Sequence, residues 1–153
     1  MKEKSIQDWI YVVSQFIFFL LYLQDFTILG WEISKDAKIL FQLIAGMGLL
    51  FSILAVLSIN TLVSPFPSPK KEMQLQTKGV FAFARHPIYT GILILFYAWG
   101  IAQASTYKIS IALFFNLFIY CKARYEEQLL REKFPDYKEY ALKTGMFFPK
   151  LFK

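Results

Sequence analysis

Long apolar runs organise this chain, rather than the mixed faces of soluble helices. The first runs roughly from Trp9 to Leu29; Asp25 interrupts its far end, so the purely apolar part stops near Leu23. The second runs from Ile39 to Val63 and carries Ala45, Gly46, Gly48 and Ser52, small residues that let helices approach closely in lipid. Ser64-Pro65-Phe66-Pro67-Ser68-Pro69 follows; it cannot continue a helix and reads as an extended exit. The third run spans Pro87 to Ala104 and the fourth Tyr107 to Cys121, with Gln103 to Thr106 too short for anything but a tight helical hairpin. Both are short for a bilayer, which mismatch or burial against neighbouring helices accommodates. The expected fold class is all-α: an integral membrane protein with about four transmembrane helices, in one domain over residues 1–153.

Composition strengthens the membrane reading. The 153 residues are 56% hydrophobic and 19% aromatic, with 17 Phe, against about 45–50% apolar in ordinary soluble domains. Seventeen Phe are too many for a small soluble core to hide. Lys2 and Lys4 ahead of an apolar run resemble a signal peptide, but no small-residue cleavage pattern follows, so an uncleaved first helix is expected.

Charge gives an orientation. Of 17 Lys and Arg, only Lys35, Lys38 and Lys108 fall on one side of the four runs. The others lie at the N-terminus, in the loop holding Lys70, Lys71, Lys78 and Arg85, and in the C-terminal tail. The positive-inside rule then places both termini, that loop and the tail on the cytoplasmic face of an inner or plasma membrane. The net charge of +6 is better matched to anionic lipid headgroups than to nucleic acid, because the basic residues flank apolar spans. Cys121 is the one cysteine and reads as a packing residue; without a Cys/His cluster no structural zinc, iron–sulfur or other metal site is expected. There is no internal repeat, and no Gly-rich dinucleotide fingerprint.

Chemistry concentrates where the third run opens, in Gly79-Val80-Phe81-Ala82-Phe83-Ala84-Arg85-His86-Pro87-Ile88-Tyr89-Thr90-Gly91, which holds the only histidine. Pro87 pushes His86 out of the helical region and suits a first helical position itself, so a helix should start there with His86 at its cap. Free N–H groups of that first turn, with Arg85 and His86 beside them, suit a small carboxylate or phosphate. Gly79 permits a turn or a close backbone approach. A plainer reading makes Arg85 a positive-inside anchor, His86 a cap and Tyr89 an interfacial aromatic.

A second constellation, Arg124-Tyr125-Glu126-Glu127-Gln128-Leu129-Leu130, lies a turn beyond the fourth run. On a continuing helix Arg124 and Glu127 share a face. Two adjacent carboxylates at a membrane exit on the positive side are not needed for topology. They read as a solvated helix with a local ion pair, or as a receiver for a cationic group while Arg124 grips an anion. The tail interleaves aromatics with lysines from Phe134 to Pro149, which suits a segment that covers a pocket or rests on headgroups.

Together these pieces resemble the isoprenylcysteine carboxyl methyltransferase and phospholipid methyltransferase superfamily over roughly residues 40–150. The resemblance rests on Thr77-x-Gly79, on Arg85-His86-Pro87-x-Tyr89-x-Gly91, on the apolar hairpin, on Glu126-Glu127-x-x-Leu130, on Phe134 to Tyr137 with Tyr140, and on Pro149. It implies a small integral membrane enzyme using S-adenosylmethionine, held between the loop before the third membrane helix and the helical tail. The implied cofactor-binding residues are Gln74, Leu75, Gln76, Gly79, Phe81, Arg85, His86, Pro87, Ile88, Tyr89, Glu126 and Glu127. Glu127 or Glu126 would take the cofactor's ammonium or ribose hydroxyls. Arg124 and Glu127 are the implied catalytic residues, Arg124 standing where family members place a substrate-facing arginine. Val80 stands where many bacterial members have proline and Phe81 where many have tyrosine, so a hydroxyl is lost.

The implied acceptor is lipophilic: a prenylated-cysteine-like acid or a lipid amine, entering laterally from membrane lipids. Arg124 favours an acid and Glu126 an amine, and the residues leave the choice open. Two other readings compete: a non-catalytic membrane scaffold, and a sterol-reductase-like oxidoreductase, which would need a reduced nicotinamide cofactor.

Overall fold

A computed structural model describes residues 4–26, 29–59, 64–69 and 71–150. The end of the second apolar run, 60–63, residues 27–28 of the first, and Lys2, Lys70 and Lys153 lie outside these described residues. The described chain is all-helical: α1 Ile6–Leu23, α2 Lys35–Leu57, α3 Val80–Phe83, α4 Pro87–Ala102, α5 Thr106–Lys133 and α6 Tyr137–Lys143.

Local chemistry sets the helix ends. Ser5 caps α1 reciprocally with Asp8, each side chain accepting the other's backbone N–H. Ser34 and Ser105 cap α2 and α5 by accepting from Ala37 N and Lys108 N. Pro87 occupies the first turn of α4, as the sequence predicts. Phe134 ends α5 in an extended conformation ahead of Pro135, which disfavours a helical residue before it.

α1 and α2 are long and apolar enough to cross a membrane, and α4 is a shorter apolar helix of 16 residues. At 23 residues α2 is about 34 Å long, against a hydrocarbon core of about 30 Å. α1 stops at Leu23, where the purely apolar part of the first run ends, and not at Leu29. α5 continues without a break from the apolar hairpin through Lys133, so one rigid element connects the apolar layer to the polar tail.

The core lies between α1, α4 and α5, where Tyr22, Leu93, Phe96, Ala112, Phe115 and Ile119 are buried together. Tyr22 stacks on Phe96 at 3.8 Å between centroids and donates to the Phe96 carbonyl at 2.6 Å. Large apolar side chains including Phe16 and Leu20 of α1, Leu43, Met47 and Leu50 of α2, and Leu113, Phe114 and Leu117 of α5 remain exposed on the outside. That inversion suits lipid as the surrounding solvent.

α2 and α4 cross through their small residues. A Cβ on Gly48 would lie 2.7 Å from the Gly91 carbonyl oxygen, and one on Gly91 would overlap the Gly48 carbonyl and Ser52 Oγ. Ser52 Oγ instead donates to the Ile88 carbonyl at 2.9 Å. Gly46, two residues away on the opposite side of the helix, has nothing within 4 Å of a Cβ. Gly91→Ala should therefore cost roughly 1–3 kcal/mol through overpacking, seen as a lowered unfolding midpoint in detergent, while Gly46→Ala should leave the midpoint unchanged or raise it.

Candidate functional site

The mouth of α4 is built by three segments that are distant in sequence. The backbone N–H groups of Arg85 and His86 donate to the carbonyls of Gly145 and Met146 at 2.9 and 3.0 Å. Thr90 Oγ1 donates to the Phe147 carbonyl at 2.7 Å. Tyr140 OH donates to the Phe81 carbonyl at 2.5 Å. The tail after α6 is thus strapped across the start of α4, and the loop and tail that the charge pattern puts on one face do meet.

Arg85 is the hub. Its Nε and Nη2 each lie 2.7 Å from Glu127 Oε1, and its Nη1 donates to the Ala141 carbonyl at 3.2 Å and to the Thr144 carbonyl. Glu127 is 2% exposed. Arg131 adds a second cation at 3.4 Å from Glu127 Oε2. His86 sits between the two carboxylates, with Nδ1 3.4 Å from Glu126 Oε2 and Nε2 3.4 Å from Glu127 Oε1. These are ion-pair separations, and Nε2 itself makes no hydrogen bond although it is buried. Tyr89 OH donates to Glu126 Oε1, and its ring stacks parallel to His86 at 5.5 Å.

Beside this cluster lies a mainly apolar cavity of about 350 Å³, within the size range of small-molecule sites. Its floor is the α4 mouth: Arg85, His86, Pro87, Ile88 and Tyr89, with Phe81 at one edge. Lys122, Glu126 and Leu130 of α5 form one wall, and Gln15 of α1 with the proline-rich segment Ser64–Pro69 and Met73 another. That segment is held by α1: Ser68 N and Oγ donate to Asp8 Oδ1 and Oδ2 at 3.2 and 2.6 Å. Lys4 Nζ donates to the Ser68 carbonyl at 3.1 Å, and Trp9 meets Phe66 edge-on at 4.9 Å.

The residues expected at the site therefore separate. Phe81, Arg85, His86, Pro87, Ile88, Tyr89 and Glu126 line the cavity. Gln74, Leu75, Gln76 and Gly79 do not. Met73 represents that stretch, Gln74 and Gly79 are exposed, and Gly79 takes the left-handed φ of +60° that starts α3. Glu127 points into the Arg85 pair. Arg124 is exposed and lines a separate groove with Gln7, Tyr125, Glu127, Gln128, Arg131 and Glu132, so Arg124 and Glu127 do share the face that helical spacing gives them. Helical geometry explains the split: Lys122 and Glu126 are four apart and share a face, and Arg124, two residues from each, faces about 200° away. Lys122, Gln15, Asp8 and the proline segment are functional candidates that the sequence reading missed. The signal for Lys122 was its four-residue spacing from Glu126; nothing in the sequence marked Gln15 or Asp8.

The phospholipid methyltransferase family matches residues 39–137. The chain belongs to this family. The match opens inside α2 and closes at the start of α6, so it contains the α4 mouth and the α5 carboxylates but neither α1 nor the tail strap. The nickel-cobalt-cadmium resistance protein NccN of Alcaligenes xylosoxydans xylosoxydans is 33% identical over 85 residues, 55% of this chain and 40% of its own length. The cobalt-zinc-cadmium resistance protein CzcN of Cupriavidus metallidurans is also 33% identical over 85 residues, 55% of this chain and 39% of its own. The match thus spans about two fifths of these relatives. Among the described residues no group of three or more His, Cys, Asp or Glu is placed to hold a metal ion.

The cluster titrates in opposite directions at its two ends. Burial alone would lower the His86 pKa, but the carboxylates of Glu126 and Glu127 outweigh it and hold the value above the usual histidine range. Burial alone would raise Glu127; the neighbouring His86 and the hydrogen bond and charge of Arg85 outweigh it and hold the carboxyl below its usual range. The histidine's contribution to stability is therefore complete below about pH 6.5 and is lost as pH rises through its raised folded value. The carboxylate's contribution is present above about pH 4.3 and is lost as pH falls through its depressed one. In a pH series of unfolding midpoints, the alkaline decline should disappear in His86→Gln. Arg85→Gln, which strands a buried carboxylate, should cost roughly 3–5 kcal/mol at neutral pH.

Proposed function

We propose that this protein is an S-adenosylmethionine-dependent methyltransferase acting on a lipophilic acceptor at the cytoplasmic face of an inner or plasma membrane. The observation that carries this reading is the cavity at the α4 mouth. It joins a helix N-terminus, a buried imidazole, a carboxylate and aromatic faces within mostly apolar walls. The cofactor is itself zwitterionic at one end, flat at the other and cationic at sulfur, and these groups fit it.

In this reading the first-turn N–H groups of Ile88 and Tyr89, which have no acceptor within a helix, draw the methionine carboxylate. Glu126, and not Glu127, takes the ammonium or the ribose hydroxyls, because Glu126 is the carboxylate that lines the cavity. Tyr89 and Phe81 present ring faces to the positive sulfur. When bound, S-adenosylmethionine supplies an electrophilic methyl group, which an acceptor lone pair takes while the carbon–sulfur electron pair stays on sulfur. The chain's own residues align the two partners and exclude water. An acid acceptor needs no base; an amine must lose a proton, and Glu126 is placed to receive it. Glu127 acts through Arg85 and His86 as a positioning residue.

The proposed topology uses α1, α2, α4 and the apolar start of α5 as four spans of one domain over residues 1–153, with both described ends cytoplasmic. Lys35, Lys38 and Lys108 at the starts of α2 and α5 support it, standing away from the basic α4 mouth and tail. The acceptor would enter sideways between helices, from lipid.

Titration calorimetry of detergent-purified protein with S-adenosylmethionine tests the proposal. Saturable binding is expected, weakened more than tenfold, about 1.4 kcal/mol, by Glu126→Gln and by His86→Ala. Arg124→Ala should leave the affinity within about twofold of wild type, the ordinary range for a surface change of ±0.5 kcal/mol. No binding by folded wild type in detergent and in lipid nanodiscs would overturn the reading in favour of a scaffold or a reductase.

A further inference from the structure

Lys122 has no role in the reading so far, and its position is unusual. It is fully buried on α5, at the level where the helix leaves the apolar layer, and it lines the cavity. Its Nζ donates to Gln15 Oε1 at 2.5 Å and to the Pro65 carbonyl at 3.0 Å, and lies 5.4 Å from the centre of the Tyr89 ring. Among the described residues no carboxylate lies within ion-pair distance of it. Lys108, the other buried lysine among the described residues, contrasts with it: Asp25 stands 3.8 Å away and two carbonyls complete its shell.

A buried ammonium whose hydrogen-bond acceptors are neutral oxygens, with the Glu126 charge acting only from beyond ion-pair distance, bears much of its desolvation cost uncompensated. It also has three donors, and two acceptors occupy two of them. Glu126, one helical turn along on the same face, is engaged by Tyr89 and His86. The α5 wall of this mainly apolar cavity therefore holds a cation with a donor to spare and no carboxylate within ion-pair distance.

We propose that Lys122 is the anion-recognition residue of this cavity, pairing with a carboxylate or phosphate of the bound molecule. The inference rests on the methyltransferase reading for its ligands but not for its logic. Two sources offer the anion: the amino-acid end of the cofactor, or an acidic headgroup on the lipophilic acceptor. In either case the cavity selects a charged ligand over its uncharged counterpart, and Lys122, not the outward-facing Arg124, makes the selection.

The experiment compares wild type, Lys122→Met and Lys122→Arg, each checked for folding by its thermal midpoint, in binding to two pairs of probes. The first pair is S-adenosylmethionine and its decarboxylated form; the second is palmitate and methyl palmitate. Wild type should prefer the charged member of at least one pair by tenfold or more, Lys122→Met should lose that preference, and Lys122→Arg should keep it. Loss in the first pair assigns the anion to the cofactor, and loss in the second to the acceptor. Equal weakening of both members of a pair would mean that Lys122 only pins Pro65 and Gln15 in place, and would overturn the proposal. So would a Lys122→Met protein that keeps every preference, or a wild type that shows none. Wild type that binds neither form of the cofactor yet prefers palmitate would retain this inference while removing the methyltransferase reading.

Discussion

The buried pair of Arg85 and Glu127 is the interaction on which the rest of the site depends. It joins the residue just before α4 to the polar half of α5, and the same guanidinium also binds carbonyls of Ala141 and Thr144 in the tail. A charge pair removed from water holds only when its remaining hydrogen-bonding capacity is also met. Here Arg131 and the tail carbonyls meet it. The consequence is geometric. With Arg85 fixed, His86 is locked at the α4 cap, Tyr89 is aimed at Glu126, and Glu126 is left on the cavity face while its neighbour is turned inward.

The cavity is a composite. The family match supplies the α4 mouth, the α5 wall and the proline-rich segment, and α1, outside it, closes the other side. Asp8 does this with one carboxylate that serves both as its own helix's capping partner and as an acceptor for Ser68. Prolines suit the task, because a segment without helical hydrogen bonds keeps its carbonyls available, and Lys122 uses the one on Pro65. Hence a helix outside the family match helps to wall the cavity.

Much of the fold was readable because membranes impose simple rules. Apolar runs, the Ser and Pro residues at their ends, and the short link before Ser105 specify where helices start and turn, since these are local effects of capping and of a hydrocarbon solvent. His86 and Pro87 were legible for the same reason: proline constrains its predecessor whatever the surroundings. The run drawn to Leu29 outlasts α1, because Gln24 and Asp25 interrupt it and the chain leaves the helix there. The segment around Gln74 misled because an extended stretch without periodic pattern gives no sign of which residue turns inward, and it is Met73 that does.

The sequence by itself determined the helices, their membrane character and the chemical inventory at the α4 mouth, because each follows from neighbours within a turn or two or from the total apolar content. Only the tertiary structure decided which of two adjacent carboxylates lines the cavity and which is consumed by Arg85. It likewise decided that Arg124 faces away while Lys122 faces in, and that α1 forms a wall. Those outcomes depend on how α5 is rotated against α1 and α4, and that rotation is set by long-range packing of Phe115, Ile119 and Tyr22 together with one buried ion pair, none of which a linear pattern encodes.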